Sequence, residues 1–312
     1  RRGIRIPRGA VSRRKRQNRE CMVAEQGRIL KVYNNVLHVV TEDHMILCKL
    51  RGRVKKGRSE LTPVPGDIVS LERISSDEGV IERIEARTNL LQRPRVANLT
   101  QIIVTVAAAL PDPHPLVVSR FLVLAERSGV KKIALCVNKM DLCQGTPEDV
   151  LAAYEAAGYP ILRVSAEQGT GLRELHERLA GEITVFAGPS GAGKSSLLNA
   201  LDPSLALLTG VVSEKIGRGR HTTRRAELLP FAGGYVVDTP GFTQQEMTEI
   251  APEELAACFP EFVRHAGCRF SPCSHSHEPD CAVKAAVETG ELSRERYEAY
   301  LALLSEIRSK KK

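Results

Sequence analysis

The chain has 312 residues, of which 42% are hydrophobic and 26% are charged, and this length is enough for two or three domains with their own cores. No apolar run approaches the roughly 20 residues that span a bilayer, and the Arg-rich start lacks the apolar segment of a signal peptide. We therefore expect neither a membrane protein nor a membrane partner.

The formal net charge of +8 resides entirely in residues 1–20, which hold nine Lys or Arg and one Glu. We expect residues 1–22 to form a disordered basic tail that is attracted to polyanions, RNA above all, because neutralised phosphates release counterions. The alternatives are a solvated tail or an Arg-rich targeting segment.

Residues 23–87 alternate apolar and polar positions in short runs between turn signals. Five short strands in about sixty residues favour an OB-type β-barrel, a fold that often binds oligonucleotides. The basic stretch at 51–58 is placed to help, although Tyr33 is the only candidate for base stacking. The alternative is a barrel that only packs on its neighbour. Residues 88–98 are interpreted as a linker.

From residue 99 to 247 the pattern changes to strands alternating with helices, which predicts a mostly parallel, doubly wound α/β sheet. Strands are expected at 101–108, 161–166 and 183–188, and helices at 115–129, 147–158 and 171–181. The polar segment 205–225 is predicted to be a functional or mobile loop. It precedes a hairpin whose turn we place at Gly233-Gly234. Residues 248–312 are expected to form a helical domain that carries a cluster of Cys and His residues.

A phosphate loop follows the strand at 183–188 and opens a helix. Its residues are Gly188, Pro189, Ser190, Gly191, Ala192, Gly193, Lys194 and Ser195, followed by Ser196. The glycines let backbone N–H groups surround phosphate oxygens, and the helix N-terminus adds positive potential. Lys194 is expected to reach the β- and γ-phosphates, and Ser195 to bind Mg²⁺.

A second box, Asn138-Lys139-Met140-Asp141, ends another strand and selects the base. Asp141 can accept both the N1–H and the 2-amino group of guanine, whereas adenine would leave this carboxylate unsatisfied. Asn138 orients the loop or meets the base edge, and the Lys139 stem covers the ring. Ser165-Ala166 fits a backbone contact to the guanine oxygen. The sequence therefore favours GTP over ATP.

The hairpin leads to Asp238-Thr239-Pro240-Gly241, where we expect Asp238 to hold Mg²⁺ and the Gly241 N–H to sense the γ-phosphate. Thr222 or Thr223 is the second expected Mg²⁺ contact. Phe242 follows this box, in a loop where Ras-like enzymes carry a water-orienting Gln. A Phe side chain cannot orient water. His221 is our candidate for that catalytic role; the alternative is that it caps the loop or contacts RNA.

The base-selecting box precedes the phosphate loop, whereas an ordinary GTPase has the opposite order. This order predicts a P-loop domain whose chain was cut and rejoined at a new place, which makes it a circularly permuted GTPase domain.

Cys268, Cys273, His275 and Cys281 supply three thiols and an imidazole within fourteen residues. Thiolates with imidazole favour tetrahedral Zn²⁺, and four protein ligands make the site structural. His277 could replace His275 on spacing alone, and Cys258 and His265 also lie nearby; a cluster without metal is the other alternative. The remaining cysteines are scattered, which is typical of a reducing compartment, so we expect cytoplasm.

These motifs together resemble one family, the RsgA (YjeQ) GTPases of ribosome assembly. The resemblance covers nearly the whole chain and rests on GPSGAGKSSLLNAL, GRGRHTTR, DTPGF and the Cys-Cys-His-Cys cluster with EPDCAV. It implies a permuted GTPase domain flanked by an OB barrel and a zinc domain. It also implies binding to the small ribosomal subunit late in its maturation, and GTP hydrolysis stimulated by that subunit. Arg224 departs from the family pattern, where a third Thr is expected, and this leaves the Mg²⁺-contacting Thr open.

We accordingly expect a monomeric GTP hydrolase that binds the small subunit and its rRNA and couples hydrolysis to release. The alternative is a GTP-gated RNA-binding switch whose hydrolysis is incidental. A metal-delivery GTPase is a third class, which the four-ligand spacing argues against.

Overall fold

A computed structural model of the chain describes residues 25–42, 44–51, 62–143, 148–205, 226–238, 250–265 and 267–310. The basic tail, most of the stretch 51–58, and the segments that carry His221, Thr222, Thr223 and Gly241 lie outside the described residues.

The N-terminal unit is a closed barrel of five strands in the order β1-β2-β3-β5-β4. The strands are β1 Glu25–Tyr33, β2 Val36–Val40, β3 Met45–Leu50, β4 Ile68–Arg73 and β5 Glu78–Ile84. Among the described strands of this barrel, β3 and β5 pair in parallel and the other neighbours are antiparallel. Alternate residues such as Leu37, Val39 and Ile46 point inward and form the barrel core, as the period-two pattern predicts. The expected OB-type barrel is confirmed.

The segment expected to be a linker forms a small hairpin of β6 Leu90–Gln92 and β7 Arg95–Ala97. Val96 and Ala97 are fully buried, and the Ala97 N–H donates to the Pro65 carbonyl at 2.9 Å. Leu91 and Val96 pack into the core of the unit that follows, together with Leu30 of β1, while the Ala97 hydrogen bond joins the hairpin to the barrel.

The central unit is a six-stranded sheet in the order β10-β9-β8-β11-β13-β12. The strands are β8 Gln101–Ala107, β9 Lys132–Asn138, β10 Ile161–Arg163, β11 Ile183–Ala187, β12 Glu227–Phe231 and β13 Gly234–Asp238. All pair in parallel except β12 with β13. The helices are α1 Pro115–Arg127, α2 Glu148–Ala157, α3 Leu172–Leu179 and α4 Lys194–Leu201, and 3-10 turns cover Met140–Leu142 and Pro203–Leu205.

The two faces of this sheet belong to different cores. Ile102 and Val104 of β8 pack in the cluster that contains α1, whereas Ile103 packs with Leu175 of α3 and Leu197 of α4. Helices thus cover both faces, which confirms the doubly wound architecture.

The β12–β13 turn lies one residue earlier than predicted. Phe231 pairs with Gly234, so the turn residues are Ala232 and Gly233, both with positive φ. Two left-handed residues give the twist that a tight hairpin favours. Gly234 instead lets the strand approach a neighbouring backbone, because a Cβ there would lie 2.2 Å from the Glu182 carbonyl oxygen.

The C-terminal unit is helical, with a 3-10 turn at Ala256–Cys258, α5 Pro260–Val263, α6 Ala282–Glu288 and α7 Arg294–Lys310. It packs on α1 through a continuous apolar core. In the part of the chain described, no helix is both long and apolar enough to cross a membrane.

Candidate nucleotide site and metal cluster

The carboxyl ends of four parallel strands bring the predicted motifs to one edge of the central sheet. β9 ends at Asn138, β10 leads to Ser165, β11 leads into the phosphate loop and β13 ends at Asp238. Such an edge is where open α/β sheets bind ligands. The permuted order along the chain is thus compatible with one contiguous site.

Asn138 ties three of these segments together. Its side chain is buried, and Nδ2 donates to the Ala192 carbonyl of the phosphate loop at 3.0 Å. The Ala166 N–H donates to its Oδ1 at 3.2 Å. Of the two roles open for Asn138, the geometry favours loop orientation. The same contact engages the Ala166 N–H that we expected to meet the guanine oxygen.

Two loop glycines are required by close approach. A Cβ on Gly193 would lie 2.3 Å from Asn138 Nδ2, and one on Gly188 would lie 1.9 Å from the Thr105 carbonyl oxygen. Both residues also have positive φ, at 84° and 138°. Glycine at these two positions lets the phosphate loop lie against β8 and against the Asn138 side chain. We call the hydrogen bonds of Asn138 to Ala192 and Ala166 the Asn138 clamp.

Lys194 begins α4 and folds back over its own loop. Its ammonium donates to the carbonyls of Gly188 at 2.7 Å and Pro189 at 2.8 Å. Burial lowers the pKa of Lys194 to about 8. Ser195 and Ser196 follow in the first turn of α4, half-buried and exposed respectively.

Asp141 is held by a neighbour that sequence reasoning assigned only a backbone role. The Ser165 hydroxyl donates to Asp141 Oδ1 and accepts the Gln168 N–H at 3.0 Å. The Met140 N–H donates to the Val164 carbonyl at 3.2 Å. These contacts fix the base-selecting box against the loop after β10 and orient the carboxylate.

Lys139 adopts a left-handed backbone with φ of 61°, and its ammonium donates to the Leu110 carbonyl. Leu110 lies in the loop between β8 and α1 and carries no motif that could have marked it. The backbone of Asp238 ends β13 at the same sheet edge.

The four predicted metal ligands converge. Their ligand atoms all lie within 4.8 Å of one another. Cys268 Sγ lies 3.8 Å from Cys281 Sγ, and His275 Nδ1 lies 3.5 Å and 3.3 Å from these two sulfurs. Zinc–sulfur bonds of about 2.3 Å in a tetrahedron put sulfurs about 3.8 Å apart, so the donor set fits a tetrahedral ion. Burial lowers the pKa of His275, which favours the neutral, metal-binding imidazole.

The competing side chains have other partners. His277 Nδ1 lies 3.0 Å from the Ser276 hydroxyl, Cys258 donates to the Glu254 carbonyl, and His265 Nδ1 lies 2.9 Å from the Glu261 carbonyl oxygen. The cluster within the described ranges therefore contains His275 and not His277.

Two tyrosines of helix α7 hold the backbone of the metal cluster by hydrogen bonds. The Tyr297 hydroxyl donates to the His275 carbonyl at 2.8 Å, and the Tyr300 hydroxyl donates to the Ser274 carbonyl at 2.7 Å. The Phe262 ring meets the His275 ring edge to face, with centroids 5.9 Å apart. Such contacts orient metal ligands from outside the coordination sphere.

The parallel sheet, the phosphate loop and the base-selecting box joined through Asn138 define the class of P-loop GTPases, here with a circularly permuted order of elements. The chain belongs to the RsgA GTPase family: the RsgA GTPase model matches residues 84–248, and the RsgA N-terminal domain model matches residues 26–81.

Curated relatives and solved structures agree. The chain is 43% identical over 292 residues to the small ribosomal subunit biogenesis GTPase RsgA of Shouchella clausii, covering 92% of this chain and 99% of that protein. It is 44% identical to the protein of that name from Moorella thermoacetica, covering 90% and 97%. YjeQ from Thermotoga maritima is similar with a TM-score of 0.78 and 40% identity, covering 91% and 99%. YloQ, described as a circularly permuted GTPase, has a TM-score of 0.79 and 34% identity, covering 94% and 98%.

Proposed function

We propose that this chain binds and hydrolyses GTP on the small ribosomal subunit during that subunit's late biogenesis. The observation that carries the proposal is the Asn138 side chain, which joins Ala192 of the phosphate loop to Ala166 in the loop after β10. The names of the relatives supply the biological setting. The chain acts as a cytoplasmic monomer.

Asp141 selects guanine in this proposal. Its Oδ1 already accepts from Ser165, so the carboxylate is oriented before the base arrives. It then accepts the N1–H and 2-amino group, while the Lys139 stem lies on the ring. The Ala166 N–H donates to both the guanine oxygen and Asn138 Oδ1. Its contact with Asn138 is long, at 3.2 Å, and this leaves room for the second acceptor.

The phosphate loop receives the triphosphate. Lys194 leaves its two carbonyl partners for phosphate oxygens, and the loop N–H groups face the same oxygens. Ser195, Asp238 and either Thr222 or Thr223 hold Mg²⁺, which neutralises charge on the phosphates when bound.

His221 orients the attacking water in this proposal, because Phe242 offers no polar group at its own position. Basal hydrolysis is then slow, and subunit contact positions His221. Gly241 responds to the γ-phosphate. Residues 239–249 connect β13 to Ile250, which is buried in the core shared with the C-terminal unit. Hydrolysis is thereby relayed to the C-terminal surface and promotes release.

Cys268, Cys273, His275 and Cys281 hold one Zn²⁺ that contributes to folding of the C-terminal unit. With four protein ligands the ion is structural. The barrel, the basic tail and this unit supply the contacts to rRNA.

Phosphate release from GTP and from ATP, titrated with purified small subunits at about 50 and 200 mM salt, tests the proposal. We expect hydrolysis of GTP alone, stimulated by subunits and weakened at the higher salt. H221A should lower the stimulated rate by about 100-fold or more with GTP affinity retained. Unchanged stimulated turnover in H221A would refute the role of His221. GTP binding without subunit-stimulated turnover in the wild type would favour a GTP-gated RNA-binding switch.

A further inference from the structure

The loop from residue 108 to 114 crosses between the two halves of the nucleotide site. The Leu110 carbonyl accepts from the Lys139 ammonium, and Pro111 Cδ lies 3.5 Å from the position of a methyl group added to Gly191. One short loop therefore contacts the base-selecting box and lies beside the phosphate loop.

Leu110 has a backbone that leucine rarely adopts. Its φ is 51°, in the left-handed region, where an ordinary side chain is disfavoured. Its side chain is 71% exposed, so packing of the side chain does not explain the conformation. The conformation does direct the Leu110 carbonyl at the Lys139 ammonium, and Lys139 is left-handed as well.

We infer that Leu110 is a positioning residue for guanine recognition: its carbonyl, aimed by a left-handed backbone, holds the Lys139 ammonium so that the lysine stem lies along the base. The inference rests on the proposed guanine site. A long lysine side chain loses many rotamers on ordering, and a partner that holds it before the ligand arrives removes part of that entropy loss from binding.

The backbone requirement separates this role from direct contact by the leucine side chain. Asn and Gly adopt positive φ readily, whereas a β-branched Val does not. We expect L110N and L110G to bind GDP within about two-fold of the wild type. L110V should weaken GDP binding by about five-fold, the order of one exposed lysine–ring interaction.

The closing experiment is a double-mutant cycle of L110V and K139A, with GDP affinity measured by calorimetry on the full chain and L110N as the matched control. If Leu110 acts through Lys139, L110V has no further effect in the K139A background. The KM for GTP should rise in L110V with kcat unchanged, since the lysine stem is remote from the γ-phosphate.

Three results would overturn the inference: equal affinities of L110V and L110N, a five-fold loss that persists in K139A, or a loss in L110G as large as in L110V, which would assign the effect to the side chain. A wild-type chain that binds no GDP would instead refute the proposed function.

Discussion

The Lys194 ammonium has hydrogen-bond partners in its own loop, and these must be exchanged for phosphate when nucleotide binds. Its ammonium donates to the carbonyls of Gly188 and Pro189, and burial lowers its pKa to about 8. A phosphate beside the ammonium favours the charged form and raises that pKa again. Nucleotide binding near pH 8 must therefore draw protons from solution.

We expect GDP binding at pH 8 to take up about half a proton, because a group with a pKa of about 8 is half deprotonated there in the free protein. At about pH 6.5 the lysine is already charged, so its contribution to the uptake should vanish, and any remaining proton exchange belongs to the phosphate of GDP, whose second pKa is about 6. Calorimetry in two buffers with different ionisation enthalpies measures the number of protons. Equal proton uptake at the two pH values would contradict the assignment.

The phosphate loop depends on glycine for two separate reasons. Gly193 and Gly129 share a positive φ, but only Gly193 lies against another side chain. A methyl group at Gly129 meets nothing within 4 Å, whereas one at Gly193 would lie 2.3 Å from Asn138 Nδ2. Substitutions at these two positions thus separate backbone strain from damage to the clamp.

G193A should lower GDP affinity by at least about ten-fold, because displaced Asn138 loses its hydrogen bonds to both loops. G129A should cost about 1 kcal/mol of stability and leave GDP affinity unchanged. Thermal unfolding and GDP titration of both variants decide the matter. An equal loss of GDP affinity in G193A and G129A would show that backbone strain, and not damage to the Asn138 clamp, lowers the affinity.

The metal cluster offers a similar pair. C273S should fail to hold the proposed zinc and should expose residues 267–281 to proteolysis, since a structural ion at this cluster would contribute to folding. C258A removes a buried cysteine outside the cluster and should keep one zinc per chain. Metal analysis before and after chelation is the measurement. Stoichiometric zinc in C273S would exclude that cysteine as a ligand.

Local motifs were predictable from the sequence, whereas the contacts that join them were not. The phosphate loop and the base-selecting box are short runs of sequence, and their residue types alone predict phosphate binding and guanine selection. The Asn138–Ala192 and Lys139–Leu110 hydrogen bonds link residues 54 and 29 positions apart, and nothing local marks such partners. Val96 likewise is buried among distant residues, in the core of the central unit, and for this reason the predicted linker forms a packed hairpin.

A buried ion pair within the C-terminal unit, Arg296 with Glu261, presents the Arg296 guanidinium to the GTPase domain. Arg296 Nε donates to Glu261 at 2.8 Å, and Nη1 donates to Ser119 of α1 at 3.1 Å. The guanidinium also lies over the rings of Phe259, at 4.7 Å, and Tyr154 of α2, at 5.2 Å. These contacts join the C-terminal unit to α1 and α2 of the GTPase domain along this face.

R296A should destabilise the chain by about 3–5 kcal/mol, because Glu261 would remain buried without its partner. The exposed pair Arg173–Glu177 gives the control, and R173A should cost less than about 1 kcal/mol. Replacing both Arg296 and Glu261 by Met should recover much of the loss. Urea denaturation of the variants compares them, and similar midpoints for R296A and R173A would rule out this docking role.

The proposed guanine site, formed by the base-selecting box beside the phosphate loop, underlies the proposed function, and D141N tests it most directly. Asn keeps the oxygen that accepts from Ser165 but replaces the other with a donor, which suits the 2-oxo group of xanthine and not the 2-amino group of guanine. Affinities for GDP, xanthosine diphosphate and ADP should be measured on the wild type and D141N. We predict that D141N loses GDP affinity by about ten- to a hundred-fold and gains affinity for xanthosine diphosphate, with ADP weak throughout. Undiminished GDP binding by D141N would contradict the account.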